Sequence, residues 1–421
     1  MGQQTTVIKR STGKSKETKP SQRPLRMKID VILMLVTITL VVFGIIMVYS
    51  ASYGISFYVA EDNSPTFMFR RQVMWLGLGL VGMGIFTWLD YRVWRKLAVF
   101  GMLATISALV GVLLFGGSQG DVARDLSGGS YQPSEIAKLM IVIYLSVWMY
   151  AKREALSNVH FGLIPLAAIL GLVGGLIFIQ PDLSAALTVI FLGVIMFFLA
   201  GGDFKQLSIL TLVTLIVGLL VVGLHPTGVN RLESFLTGLK DPLESSDHVQ
   251  RALSAYANGG WFGVGIGQGT IKLTILPVPH TDSIFAVIGE EFGLVGAAVV
   301  VALYGLFLWR GLVIAQRAPD GLGTLLASGI TIWITMEAFM NMLSLTGLIP
   351  YTGNPLPFFS IGGSSLVFTL VGVGIVFNIS RLSEQKQLEE ERRTFGTLIN
   401  LRGRDWRRRV SRTRRTRSTN R

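Results

Sequence analysis

The sequence predicts an all-α, polytopic integral membrane protein with about ten transmembrane helices, both termini cytoplasmic, and one large external loop between helices seven and eight. Three observations lead there. Half of the 421 residues are hydrophobic and only 15% are charged, the balance of a bilayer protein and not of a soluble globule. Apolar stretches of membrane-crossing length, roughly 17–25 residues each, recur near 30–50, 73–89, 97–115, 134–150, 161–179, 183–200, 207–224, 283–309, 323–345 and 361–379. With ten spans and both tails inside, 30 of the 38 Lys and Arg lie on the cytoplasmic side, which fixes the orientation.

Each element follows in order. The tail 1–29 is basic (Lys9, Arg10, Lys14, Lys16 and others), has no packing period and reads as disordered. The first span is too long and too far in for a cleaved leader, so it reads as a signal anchor. The short turns after spans two, four and eight are basic as well (Arg92, Arg95, Lys96; Lys152, Arg153; Arg310, Arg317), so the orientation does not depend on the tails. Span five runs into span six through Gln180-Pro-Asp182, as a broken hairpin does. The loop at about 225–282 is too long for an ordinary connection. Its Phe235, Trp261, Phe262 and glycines predict order. The membrane domain covers 30–381, and a second basic tail covers 382–421, also read as disordered. The net charge of +13 sits mainly in the two tails, where it suits anionic membrane lipid and not nucleic acid. No cysteine means no disulfide and no thiolate metal site, and four scattered histidines spell no zinc site.

The unusual polar residues fall on the external side. Asp282 stands at the mouth of span eight, where an acid is costly: about 2.5–3.5 kcal/mol at a helix centre and less toward the interface. A helix beginning near Thr281 would put Glu290 about 12 Å along the axis from Asp282. It would also rotate Glu290 by about 80° and Glu291 by about 180°. The three acids then form no single cluster, and Asp282 acts alone. Its bland role is to cap the helix; that of Glu290 and Glu291 is to bond to neighbouring spans. In Gln132-Pro-Ser-Glu-Ile-Ala-Lys138, Pro133 and Ser134 begin a helix, and Glu135 and Lys138 share a face at i,i+3. The run Gly259-Gly-Trp-Phe-Gly-Val-Gly-Ile-Gly-Gln-Gly-Thr270 fails as a dinucleotide fingerprint because no strand precedes it. It reads as a flexible loop whose backbone comes close to other groups. The segment 346–365, Thr-Gly-Leu-Ile-Pro-Tyr-Thr-Gly-Asn-Pro-Leu-Pro-Phe-Phe-Ser-Ile-Gly-Gly-Ser-Ser, is a Pro/Gly-rich loop or re-entrant stretch.

Those segments, with Leu276-Pro-Val-Pro-His-Thr-Asp-Ser-Ile-Phe-Ala-Val-Ile-Gly-Glu-Glu291 and Asn378-Ile-Ser-Arg381, resemble in order the motifs of the SEDS (shape, elongation, division and sporulation) family of bacterial cell-wall glycosyltransferases. The likeness runs from about 30 to 381, and its long basic tails suit the cell-division branch. This chain departs from the pattern at Ser184 and Ala185, Val264, Ile361, Val278, Ser283 and Asp247-His-Val-Gln-Arg-Ala252, and loop 116–133 keeps only Arg124 and Asp125. The resemblance implies polymerisation of lipid II at the outer face of the bacterial cytoplasmic membrane, at the division septum, with undecaprenyl diphosphate as leaving group and Asp282 as the catalytic base. The candidate substrate-binding residues are Arg124; Gln132, Ser134, Glu135 and Lys138; Gln180 and Asp182; Arg231, Gln268, His280 and Thr281; Glu290 and Glu291; and Asn354, Ser360, Ser364 and Ser365. Lys138, Arg124 and Arg231 are the candidate cations. No ligand spacing spells a metal, and the chemistry admits a divalent cation, Mg or Mn, at the diphosphate. A class B penicillin-binding transpeptidase and other divisome proteins are the implied partners. A lipid II flippase, an elongation polymerase and a non-catalytic scaffold are the competing readings.

Overall fold

The computed structural model describes residues 29–59, 66–115, 132–180, 182–224, 226–274, 276 and 281–415. All ten predicted spans coincide with helices: α1 (Val31–Val59), α2 (Phe67–Trp88), α3 (Trp94–Phe115), α4 (Pro133–Lys152), α5 (Leu163–Ile179), α6 (Leu183–Leu199) and α7 (Phe204–Leu224), then α11 (Ile284–Gln316), α12 (Gly321–Leu345) and α13 (Gly363–Arg415). Between α7 and α11 the long loop folds into α8 (Pro226–Gly238), α9 (Asp247–Gly259) and the single turn α10 (Ile271–Thr274). Among the described residues six helices, α1, α3, α4, α11, α12 and α13, include stretches long and apolar enough to cross a membrane; α5, α6 and the first part of α7 are shorter apolar helices. The protein is a multi-pass membrane protein. The basic N-terminal tail, Arg124 and Asp125, and Val278 and His280 lie outside the described residues.

Sidedness governs packing. Met74 and Val81 of α2 and Leu212 and Leu215 of α7 are exposed, as side chains facing lipid should be. The centre is formed by α4, α12, the first half of α11 and the first part of α13, and it buries polar side chains as well as apolar ones. In hydrocarbon every such group must find a partner inside the protein.

One feature of α11 escapes the sequence. The helix is broken at Gly293, where φ is +68° and ψ −166°. A turn of the Gly-rich loop fills the break. Leu294 and Val295 N–H donate to the Gly260 and Trp261 carbonyls, while Val264 and Gly265 N–H donate to the Glu290 and Glu291 carbonyls. Four backbone groups at the kink thus gain partners in the loop. The approach is so close that a Cβ on Gly263 (φ +81°) would lie 2.1 Å from the Glu291 carbonyl oxygen. The close-approach reading of this loop therefore has a specific cause.

On the cytoplasmic side the Asn378-Ile-Ser-Arg381 motif is a clamp. Asn378 donates to the Thr87 carbonyl and accepts from Tyr91 N–H, the Ser380 hydroxyl accepts from Asp30 N–H, and Arg381 lies over the Trp88 ring. Beyond it, α13 continues as helix to Arg415, where the composition predicts a disordered tail from 382. The run from 382 is rich in Arg, Glu and Leu and holds no proline, so a span already helical propagates through it.

Candidate active site

Asp282, Glu290 and Glu291 do part company, but not on one regular helix. The helix starts at Ile284, with Ser283 at the cap position, so Asp282 is not the N-cap that the bland reading made it. Glu290 is fully buried; its Oε1 accepts from Asn258 Nδ2 (2.9 Å), Thr270 N (2.8 Å) and Ile271 N (3.1 Å), pinning the start of α10. Glu291 forms a buried ion pair with Lys272 of α10 and accepts from Ser50 of α1. Both acids are structural fasteners between the external loop and the helices beneath it.

Asp282 is held differently. Its backbone carbonyl accepts from Asn341 Nδ2 at 2.8 Å, and the carbonyl before it, that of Thr281, accepts from the Ser360 hydroxyl at 2.7 Å. Its carboxylate faces Gly353: a Cβ built there would lie 3.6 Å from Asp282 Oδ2 and 3.8 Å from Arg231 Nη2. The acid and the guanidinium therefore converge on one point. Arg231 Nη1 donates to the Thr352 carbonyl, and its guanidinium lies 5.8 Å over the Tyr351 ring. His248 stacks on the same ring (centroids 4.2 Å apart, planes 12°), with Nδ1 3.4 Å from the Ser283 hydroxyl. Burial raises the Tyr351 hydroxyl pKa, the Asp282 charge adds to the shift, and Arg231 opposes it. Burial lowers that of His248. A cavity of about 210 Å³ opens beside this group, lined by Arg231, Phe235, Ser246, Val249, Ile349 and Tyr351.

A second polar centre lies within the membrane domain. Lys138, 1% exposed, donates to Glu135 (2.7 Å) and to Glu337 of α12 (2.5 Å). The i,i+3 spacing puts Glu135 and Lys138 on one face but does not point to Glu337, although a lone acid inside an apolar span is a signal in itself. One ammonium against two carboxylates gives a centre that is not net positive, so its geometry offers no cation for a diphosphate. Glu337, Asn341 and Ser344 follow at i, i+4 and i+7, a buried polar stripe that runs about 10 Å up α12 toward Asp282.

The other predicted residues divide between these environments. Asp182 caps α6 through Ala185 N–H and accepts from Ser134; Gln180, buried, donates to the Leu109 carbonyl. The Ser364 hydroxyl accepts from Gln132 N–H, and Ser365 is buried near the start of α13. Asn354 is buried and its carbonyl accepts from Asn341. Gln268 is exposed on the Gly-rich turn, away from these contacts. The structure thus gathers Arg231, Thr281, Asp282, Asn354 and Ser360 at one place. It gives Ser134, Gln180, Asp182, Glu290 and Glu291 internal partners instead. Among the described residues, no group of three or more His, Asp or Glu is placed to hold a metal ion.

Comparison with known proteins identifies the family. Residues 30–385 match the family of FtsW, RodA and SpoVE, described as cell cycle proteins. The chain is 35% identical over 355 residues to the "Probable peptidoglycan glycosyltransferase FtsW" of Geobacter sp. (strain M18), covering 83% of this chain and 96% of that one. It is 36% identical over 360 residues to the stage V sporulation protein E of Bacillus subtilis (strain 168), covering 84% and 97%. Among solved structures it superposes with a TM-score of 0.67 and 28% identity on a chain of a peptidoglycan synthase complex that coordinates polymerization and crosslinking, covering 85% of this chain and 98% of that one. It superposes with a TM-score of 0.62 and 27% identity on the Thermus thermophilus rod shape determining protein RodA, covering the same shares. The chain belongs to the FtsW/RodA/SpoVE family of cell cycle proteins.

Proposed function

We propose that this protein is a peptidoglycan glycosyltransferase that polymerises lipid II at the outer face of the cytoplasmic membrane, in septal wall synthesis. The observation that carries the reading is the convergence of Asp282 and Arg231 on Gly353, at the membrane face that the charge pattern assigns to the outside. The relatives' names give the reaction class. In the reaction, the acceptor sugar's 4-hydroxyl oxygen attacks the anomeric carbon of the donor. The new C–O bond forms as the bond to phosphate breaks, and undecaprenyl diphosphate leaves with the electron pair. Attack opposite the leaving group inverts the centre. Asp282 takes the hydroxyl proton as general base, and Arg231 supplies fixed positive charge where negative charge develops. The cavity beside Arg231 and Tyr351 is too small for a whole lipid-linked disaccharide and would hold one portion of it. The partner is a class B penicillin-binding transpeptidase within the division machinery.

Purified protein supplied with labelled lipid II tests this. Polymer from the wild type and none from Asp282→Ala is the expected result. No polymer from the wild type, even with its transpeptidase present, would sink the enzyme reading. Scrambling of lipid II across liposomes without polymer would replace it with a flippase.

A further inference from the structure

We propose that Asn341, assisted by Ser360, is a positioning residue that fixes the direction of the Asp282 carboxylate; this rests on the reading of Asp282 as the base. The sequence explains why such a device is needed. Asp282 follows Leu276-Pro-Val-Pro-His-Thr281, and neither Pro277 nor Pro279 has an N–H to offer. The helix begins only at Ile284, with no side-chain cap on Ser283. The acid thus stands just ahead of the regular helix, after a stretch interrupted by two prolines.

Two side chains from other elements grip it there. Asn341, 1% exposed on α12, sends its amide nitrogen to the Asp282 carbonyl (2.8 Å) and to the Asn354 carbonyl (2.6 Å). Both partners are acceptors, so only the NH2 end of the amide can face them, and each of its two hydrogens has a target. Ser360 accepts from Leu356 N–H (2.7 Å) and donates to the Thr281 carbonyl (2.7 Å). Two consecutive peptide carbonyls are thus gripped, one by a rigid helix and one by the 346–362 loop. The same amide ties Asp282 to the backbone at Asn354, next to Gly353, where the carboxylate and Arg231 meet. Releasing the grip would let the peptide rotate and swing the carboxylate without touching the substrate. A misplacement of about 1 Å costs on the order of 10²-fold in rate.

The test compares Asn341→Ala, Asn341→Asp and Ser360→Ala with wild type on fluorescent lipid II. Asn341→Asp keeps the side-chain shape and replaces the NH2 donor with oxygen, which separates hydrogen bonding from packing. Both Asn341 variants are expected to lose about 10–100-fold in kcat with KM held within about twofold. Ser360→Ala loses about fivefold. A second readout does not use activity. The chain has no cysteine, so Asp282→Cys provides a single thiol for a membrane-impermeant maleimide. Adding Asn341→Ala should change its labelling rate several-fold and leave that of Trp261→Cys, on the exposed Gly-rich turn, unaltered. Unchanged kcat in both Asn341 variants, or unchanged labelling at 282, overturns the proposal. If Asp282→Ala still polymerises, the base reading falls, and labelling alone decides whether Asn341 positions that residue. Should the Asn341 variants fail to fold, Ser360→Ala, which removes one hydroxyl, decides by the same two readouts.

Discussion

Asp282 and Glu291 stand nine positions apart on one segment, and the protein treats them in opposite ways. Glu291 is held by its carboxylate, in a buried pair with Lys272 and Ser50. Asp282 is held by its backbone, and its carboxylate faces Arg231 across Gly353. The difference separates an acid that stabilises from an acid placed to react. A carboxylate buried in an ion pair fixes a structure, whereas a backbone gripped through its carbonyl fixes the direction of the acid.

The sharpest way to break that contrast is Asp282→Asn. It should cost about 10²–10⁴-fold in polymerisation, the usual worth of a general base. The thermal unfolding midpoint should move little, because the Asn341 bond to the main chain of this residue is kept. A large drop in midpoint with activity retained would make Asp282 another fastener. The reverse experiment is Lys272→Met, which leaves the Glu291 charge buried without its ammonium and should destabilise the protein by about 3–5 kcal/mol. Lys272→Met with Glu291→Leu should recover most of that loss, since a buried pair exchanged for apolar groups is close to neutral. Thermal unfolding in detergent reads both, and a double variant no better than the single would disprove the pairing.

The fold was largely legible, and the sites only in part. Ten apolar stretches became ten helices because hydrocarbon admits little else, and that constraint is local in sequence. The three acids were correctly separated, although the geometry used a helix beginning at Thr281 when it begins at Ile284. Glu337 was legible and overlooked: a carboxylate amid Trp333, Ile334 and Phe339 signals itself. The grip of Asn341 was not legible, because nothing in the sequence says which carbonyls lie opposite an asparagine on another helix. Nor was the break at Gly293 readable, since it depends on a loop that arrives from 30 residues upstream. Ser134, Gln180 and Asp182 looked like ligand groups for the same reason: a motif identifies a polar residue without saying which partner satisfies it.

That break gives the next, smaller prediction. At Gly293 the backbone sits where only glycine is at ease, and a Cβ would meet Gly263 N and Trp261 C at 2.5 Å. Gly293→Ala should therefore destabilise by about 1–3 kcal/mol. It should also reduce activity less than Asp282→Asn does, because it loosens the loop above Glu290 and Glu291 and not the acid. Activity falling as far as in Asp282→Asn would mean that fastening and reaction are not separable here.

The smallest effect concerns His248, stacked on Tyr351 beside the reactive group. Burial lowers its pKa in the folded state, helped by Arg231 and Arg251 and opposed by Asp247. The unfolded chain then takes up the proton first as pH falls. A group with a depressed folded pKa contributes stability that is present above its unfolded value, about 6.5, and lost as pH falls through the folded value. Lowering the pH from 7 toward 5 should reduce the thermal midpoint of the wild type, and His248→Gln should flatten that part of the decline. The effect is modest because the ring is only half-buried. If the pH profile of His248→Gln overlays that of the wild type, the imidazole is not charging against the fold, and its stacking on Tyr351 is packing alone.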